Sequence, residues 1–287
     1  MRRVVCVGSA NVDVMIYVDR FSAGDEEHAT HDVHVCSGGS AGNIASGVAR
    51  LGKASVFFGN IGSDDHTKML LEDFEKDGVD CSFAISTVKP NNTVYSVVDR
   101  TGNRQLYAYN NVELSASDFP DELLGADFVV FTSLIHDGIL GIYAEIARRA
   151  KARGAKIILV PGNIFARMGM ARLKPLMALC DYLILSKNEE ALLEGAAGVV
   201  PKVIVTAGKD NIKYFSPKLE EFPVRPVSPV DTTGAGDCFA AAFVYSLLEG
   251  RTEGEAIRFA SLAAGLSTMK KGARSMPSLE EIRRFHG

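Results

Sequence analysis

The chain predicts an α/β fold of three layers, α/β/α, with a mainly parallel central sheet and a small β appendage. Three observations predict it. Short apolar runs of strand length recur along the chain, amphipathic segments of helical spacing lie between them, and two stretches of strand-like alternation interrupt that rhythm. The first strand is Arg3–Val7. Arginines ahead of apolar residues also open signal peptides, but Asn11 and Asp13 end this run too early for one. Residues 56–59, 128–131, Lys156–Val160, 182–185 and 203–206 read as further buried strands, each bounded by turn residues. Segments 41–51, 68–77, 139–153, 172–179 and 189–195 read as helices, with Gly52, Gly78, Gly154 and Gly195 as their stops. The alternation places ligands at the carboxyl ends of the strands.

The interrupting stretches, 12–35 and 84–110, are rich in Val, Ile, Thr and Tyr. Asp99-Arg100-Thr101-Gly102-Asn103 between two such runs predicts a hairpin, and the strands are expected to be antiparallel. Tyr107 and Tyr109 fall on one face of a strand. All 287 residues read as one domain carrying these stretches as a lid.

Composition narrows the function. A formal net charge of −4 gives no basic field for nucleic acid, and no apolar run approaches the roughly 20 residues of a membrane helix, so the expected partner is a small molecule. Five scattered cysteines without Cys-x-x-Cys spacing point to reduced thiols and a cytoplasmic location. His28, His31 and His34 are evenly spaced, but on an extended strand they alternate faces and do not converge on a zinc ion.

The most informative string is Asp231-Thr232-Thr233-Gly234-Ala235-Gly236-Asp237, running into the small apolar residues of a helix. Gly234 and Gly236 leave backbone N–H groups open to an anion, with Ala235 between them, and the helix start points its own N–H groups and positive dipole end there. Asp237 in the first turn is stabilised as an anion and suits a general base. Anion hole and base together suit phosphoryl transfer to an alcohol. The plainer reading is a Gly-rich turn capped by Asp. Asn11 and Asp13 offer an amide and a carboxylate to vicinal hydroxyls, or form an Asx turn. Gly38 and Gly39 permit close backbone approach, and Asn43 adds a donor and an acceptor.

At these residues the chain resembles the ribokinase-like, or PfkB, family of carbohydrate and nucleoside kinases. Gly8-Ser9-Ala10-Asn11-Val12-Asp13 and Ser37-Gly38-Gly39-Ser40-Ala41-Gly42-Asn43 resemble its substrate motifs. Val203-Ile204-Val205-Thr206-Ala207-Gly208 and Lys271-Gly272-Ala273 resemble its nucleotide motifs, and the Asp237 string its signature. The resemblance implies a ribokinase-like fold and ATP-dependent phosphorylation of a small sugar or polyol. It assigns Asn11, Asp13, Gly39 and Asn43 to the acceptor, and Thr206, Gly208, Gly236 and Gly272 to the nucleotide. Lys209-Asp210-Asn211 is expected to complete the turn after Gly208. The resemblance also implies magnesium near Glu189, the register that aligns Ser186 with the family's Asn; the register through Asn188 reaches Ala191 and loses the acid. In many relatives potassium binds near the equivalents of Asp231, Thr233 and Ala273. The lid closes over the sugar and excludes water, and a homodimer through that lid belongs to the same reading.

Ser40 stands where ribokinases tend to carry Lys, which leaves the sugar open. Val160-Pro161-Gly162-Asn163 resembles archaeal nucleoside kinases, so a nucleoside is the alternative acceptor. A non-catalytic sensor on the same fold is a remote alternative, against which the intact Asp237 speaks. A dinucleotide-dependent dehydrogenase lacks its glycine fingerprint here.

Overall fold

The structure is a computed structural model that describes residues 3–286. The architecture is organised about β1 (Arg3–Val7), which pairs in parallel with β4 (Ala54–Phe58) on one side and β10 (Phe128–Thr132) on the other. Successive side chains of a strand point to opposite faces. Accordingly Val4 and Cys6 enter one apolar core and Val5 and Val7 another, all four fully buried. A strand buried on both faces must be apolar throughout, the pattern legible in the sequence.

Past β10 the sheet continues through β11 (Lys156–Val160), β12 (Tyr182–Ser186) and β13 (Val203–Ala207), all parallel. It ends on an antiparallel pair, β14 (Asp210–Phe215) and β15 (Leu219–Phe222). Beyond β4 lies the short β6 (Val79–Asp80). The order is β15-β14-β13-β12-β11-β10-β1-β4-β6. The expected turn at 209–211 is shorter than read. Ala207 pairs with Asp210, so Gly208 (φ 62°) and Lys209 alone make the hairpin turn.

One face is covered by α1 (Ser40–Arg50), α2 (Thr67–Asp77), α7 (Ala235–Leu248), α8 (Glu253–Ser267) and α9 (Leu279–His286). The other is covered by α3 (Ile139–Ala152), α4 (Gly162–Ala166) and α5 (Met170–Met177). The helix expected at 189–195 begins earlier. Ser186 caps α6 (Lys187–Leu192) in a box with Glu189, whose carboxylate accepts the Ser186 N–H at 2.9 Å and whose own N–H reaches Ser186 Oγ at 3.3 Å.

A second sheet has the order β3-β2-β8-β9, from β2 (Asn11–Val18), β3 (Thr30–Gly38), β8 (Asn92–Val98) and β9 (Arg104–Tyr109). It is mixed where antiparallel strands were expected. β2 pairs with β3, and β8 with β9, in antiparallel fashion, but β2 and β8 run parallel. The chain reaches β8 only after a crossover through α1, β4 and α2, and such a connection returns a strand in the same direction. The 99–103 hairpin forms, its Asp99 carboxylate accepting the N–H groups of Thr101 at 2.8 Å and Asn103 at 3.0 Å. Residues of β7 (Ile85–Ser86), inside the 84–110 stretch, pair instead with β5 (Asn60–Ile61). No helix among the described residues is long and apolar enough to cross a membrane, and all five cysteines are free.

Candidate active site

The strand order reverses around β1, and at the carboxyl ends of such strands a crevice opens. Here β2 leaves β1 and rises into the small sheet. Asn11 and Asp13 sit two residues apart on β2 and so share a face. They pair in ladder register with Gly38 and Cys36, which replaces the Asx-turn reading. Both line a cavity of about 320 Å³ together with Gly39, Asn43, Thr233, Gly234 and Asp237. The two motifs are brought together although Asn43 and Asp237 are 194 residues apart: Asn43 Nδ2 donates to Asp237 Oδ2 at 2.8 Å.

Two glycines make this approach possible. Gly39 precedes α1 with φ 86°, and a Cβ there would lie 2.5 Å from the Ser9 carbonyl oxygen. Gly234 precedes α7 with φ 76°, and a Cβ there would lie 2.1 Å from the Ala273 carbonyl oxygen. Gly236 is different, because it lies inside the first turn of α7 at ordinary helical φ. The Ala235 N–H bends back to the Thr232 carbonyl at 3.3 Å. That leaves the anion-facing role at this helix start chiefly to the N–H groups of Gly236 and Asp237.

Both pocket carboxyls titrate high. Burial pushes Asp237 from an ordinary 3.8 up to about 6, against hydrogen bonds from Asn43 and Ser40 and the charge of Arg274. Burial likewise raises Asp13 to about 6, opposed by Arg274 and reinforced by Asp237. Desolvation therefore outweighs the helix start that the sequence reading credited. Each remains mostly ionised at neutral pH, and a base with a value near the operating pH is well matched to proton transfer.

The residues expected on the nucleotide side lie outside this cavity. Thr206 is the penultimate residue of β13, and its hydroxyl donates to the Leu185 carbonyl at 3.2 Å. Gly208 forms the turn that follows. The Gly272 N–H donates to Asp231 Oδ2 at 3.0 Å, and the Thr233 N–H to Asp231 Oδ1 at 2.9 Å. Asp231 thus clamps the late loop to the signature turn. Partial burial works against its ionisation, but these bonds hold its carboxyl below the ordinary value. Glu189 gives one carboxylate oxygen to the α6 cap, and its negative charge acts on Asp237. The described residues hold no group of three or more His, Cys, Asp or Glu side chains arranged for a metal ion. His31 pairs with Asp19 and His34 with Asp32.

Several pocket residues were not singled out from sequence. Arg104 on β9 reaches across and donates from Nη1 to Thr233 Oγ1 at 2.9 Å, 129 residues away. Period-two alternation carried that signal, since Arg104, Leu106 and Ala108 all line the cavity while Tyr107 and Tyr109 face away. Ile135, Ile164, Met15 and Val94 add an aliphatic wall. Arg274 stands behind Asn43, donating from Nε to its Oδ1 at 3.1 Å.

The pfkB family carbohydrate kinase profile matches residues 1–280. The chain is 30% identical over 300 residues to the ATP-dependent ribose-1-phosphate kinase of Halopiger xanaduensis, covering 99% of this chain and 98% of that one. It is 29% identical over 307 residues to the ribokinase of Staphylococcus aureus, covering 98% of each. Its fold matches that of Arabidopsis thaliana ribokinase complexed with ribose and ATP at a TM-score of 0.86 and 27% identity, over 99% of this chain and 97% of that one. Fold and relatives together define an ATP-dependent sugar kinase. The chain belongs to the pfkB family of carbohydrate kinases.

Proposed function

We propose that this kinase, acting as one domain with the four-stranded sheet as its lid, transfers the γ-phosphate of ATP to a hydroxyl of a small sugar or polyol held between Asp13 and Asp237. The observation that carries the reading is the single cavity that joins the β2 pair, Asn11 and Asp13, to the first turn of α7. Asn11 and Asp13 hold non-reacting hydroxyls, and the Gly39 backbone lets the sugar approach. Asp237 accepts the proton of the reacting hydroxyl as its oxygen attacks phosphorus. The N–H groups of Gly236 and Asp237, at the end of the Gly234-Ala235-Gly236 turn, face the charge on the transferred group. Arg104, already seated on Thr233, adds a cation from the lid side. Thr206, Gly208 and Gly272 border the nucleotide.

The donor set fits magnesium held mainly by water and ATP phosphates, and the oxygen of Glu189 that does not accept the Ser186 N–H would be its protein partner. When bound, magnesium would supply charge neutralisation to the phosphates. Potassium has less support. Each oxygen of Asp231 accepts one N–H and Thr233 Oγ1 accepts from Arg104, so a cation there would share these atoms with existing hydrogen bonds and take further oxygens from backbone carbonyls such as that of Ala273. The free cysteines support a cytoplasmic setting.

One observation favours the second reading, a nucleoside acceptor. Leu106 and Ile135 line the cavity yet stay 63% and 47% exposed, which suits a flat apolar group beyond the pentose. A panel of sugars, polyols and nucleosides with ATP and magnesium tests both. Turnover of sugars or polyols supports the first, turnover of nucleosides alone replaces it with the second, and phosphate transfer to neither overturns the kinase assignment. A homodimer through the lid is also proposed. The lid face turned away from the cavity carries Val35, Val14, Tyr95 and Tyr107 in one cross-strand row, with Tyr107 59% and Tyr109 45% exposed.

A further inference from the structure

Arg274 follows Gly272 and Ala273 in the loop after α8, and its side chain turns back beneath the acceptor motif. Nε donates to Asn43 Oδ1 at 3.1 Å, and Nη2 donates to the Gly38 carbonyl oxygen at 3.1 Å. The other end of the same amide, Asn43 Nδ2, donates to Asp237 Oδ2 at 2.8 Å. A guanidinium has no acceptor, so an amide bonded to it must turn its oxygen there and its nitrogen toward the carboxylate. We propose that Arg274 is a positioning residue for the transfer reaction: it orients the Asn43 amide, through it the carboxylate of Asp237, and ties both to the acceptor loop at Gly38. This rests on reading Asp237 as the base.

The placement is hard to explain by packing alone. The guanidinium lies against the first turn of α1, the end of a helix that disfavours a cation. Gly42 makes the space, since a Cβ there would come within 2.7 Å of Nη2. Phe74 of α2 stacks beneath, its ring centroid 4.5 Å from the guanidinium carbon. Arg50 holds the Arg274 backbone carbonyl at 2.6 Å and pairs through Nε with Asp77. Yet Nη1 is buried with no hydrogen-bond partner among the described residues. A buried, incompletely bonded cation destabilises a fold relative to an apolar side chain of similar size. What the fold gains is a fixed amide at the base.

The charges around it agree. Arg274 faces Asp73 and Asp77 from α2, Arg50 from α1 and Asp13 from β2. Asp237 faces Asn43, Ser40, Arg274 and Glu189, and Asp13 faces Arg274 and Asp237. Arg274 is thus a cation shared by both pocket carboxylates.

The test compares Arg274→Met and Arg274→Lys in the full chain, using the acceptor that the panel identifies. Arg274→Met is expected to lower kcat about 10- to 100-fold, the range seen when a supporting hydrogen bond is removed, with KM for ATP held within about twofold. The acidic limb of kcat/KM should move up by about one pH unit, because a cation has left two carboxylates. Arg274→Lys keeps the charge but not the planar fork, so it should restore the limb and not kcat. With Asn43→Leu the losses should not add, since both changes release the same amide. Wild-type kcat with an unmoved limb, or additive losses with Asn43→Leu, would overturn the proposal. Should Arg274→Met fail to fold, Arg274→Lys and its cycle with Asn43→Leu decide alone: a lysine variant with full kcat refutes the positioning role. Asp237→Asn separates the two readings. Full activity there removes the base itself, whereas an inactive Asp237→Asn beside a fully active Arg274→Met removes only the positioning role.

Discussion

Asp237→Asn should make this protein more stable and far less active. The shift from 3.8 to about 6 in the native state is roughly two pH units, and at about 1.4 kcal/mol per unit it sets an upper limit of about 3 kcal/mol for holding this carboxylate ionised. The group opens onto a cavity, so solvent screens part of that, and about 1–3 kcal/mol is the working range. The sign follows from the raised value. Below pH 3.8 both folded and unfolded forms carry the proton and the native state bears no cost, while stability is lost as pH rises from 3.8 through 6. Asparagine has no such dependence and can still accept from Asn43 Nδ2 through its carbonyl oxygen. The variant should therefore melt a few degrees above wild type at pH 7.5 and match it near pH 4. Its turnover should fall by about two to four powers of ten, the contribution of a general base. Thermal unfolding across pH 4–8 and initial rates with saturating ATP read both effects. An unchanged or lower melting temperature at pH 7.5 refutes the burial argument, and near-normal turnover refutes the base.

Asp13→Ala removes a charge-assisted bond to a sugar hydroxyl, so calorimetry should show acceptor binding weakened by about 1.5–3 kcal/mol with ATP affinity unchanged; equal loss of both ligands would make Asp13 structural. Arg104→Ala withdraws the lid cation from Thr233 and should lower kcat by at least about tenfold while the melting temperature moves little, as expected for an exposed side chain. If only KM for the acceptor rises, Arg104 binds sugar and takes no part in the transfer. Tyr107→Glu places a charge on the outer lid face and should turn a dimer, measured by light scattering at micromolar concentration, into a monomer; a wild-type chain that is already monomeric there refutes the lid interface.

Whatever depends on neighbours along the chain was legible in the sequence. The buried strands announce themselves as short apolar runs because each must be apolar on both faces, and the Gly-Ala-Gly-Asp start of α7 because a tight turn, a helix dipole and a carboxylate all act within a few residues. Asn11 and Asp13 were legible as a polar pair after the first strand, while their common face came only with β2, which begins at Asn11 rather than after it. The small sheet was legible as strands but not in its directions, since the parallel pairing of β2 with β8 follows from a crossover between them. α8, α9 and the β14–β15 pair were not read from the sequence; α8 buries its apolar residues against α7 and α9, and β14 and β15 extend the far edge of the sheet, partnerships that only the fold supplies.

Only tertiary structure decided how the site is held. Asn43 meets Arg274 across 231 residues and Arg104 meets Thr233 across 129, distances at which no spacing rule operates. The high titration of Asp13 and Asp237 arises the same way: a carboxyl at a helix start reads as an easily ionised acid until the packing that desolvates it is known. Glu189 shows both sides of the division. Its place three residues after Ser186 marks a helix start in the sequence, while the approach of its charge to Asp237 exists only because α7 begins at the edge of the sheet where β12 ends.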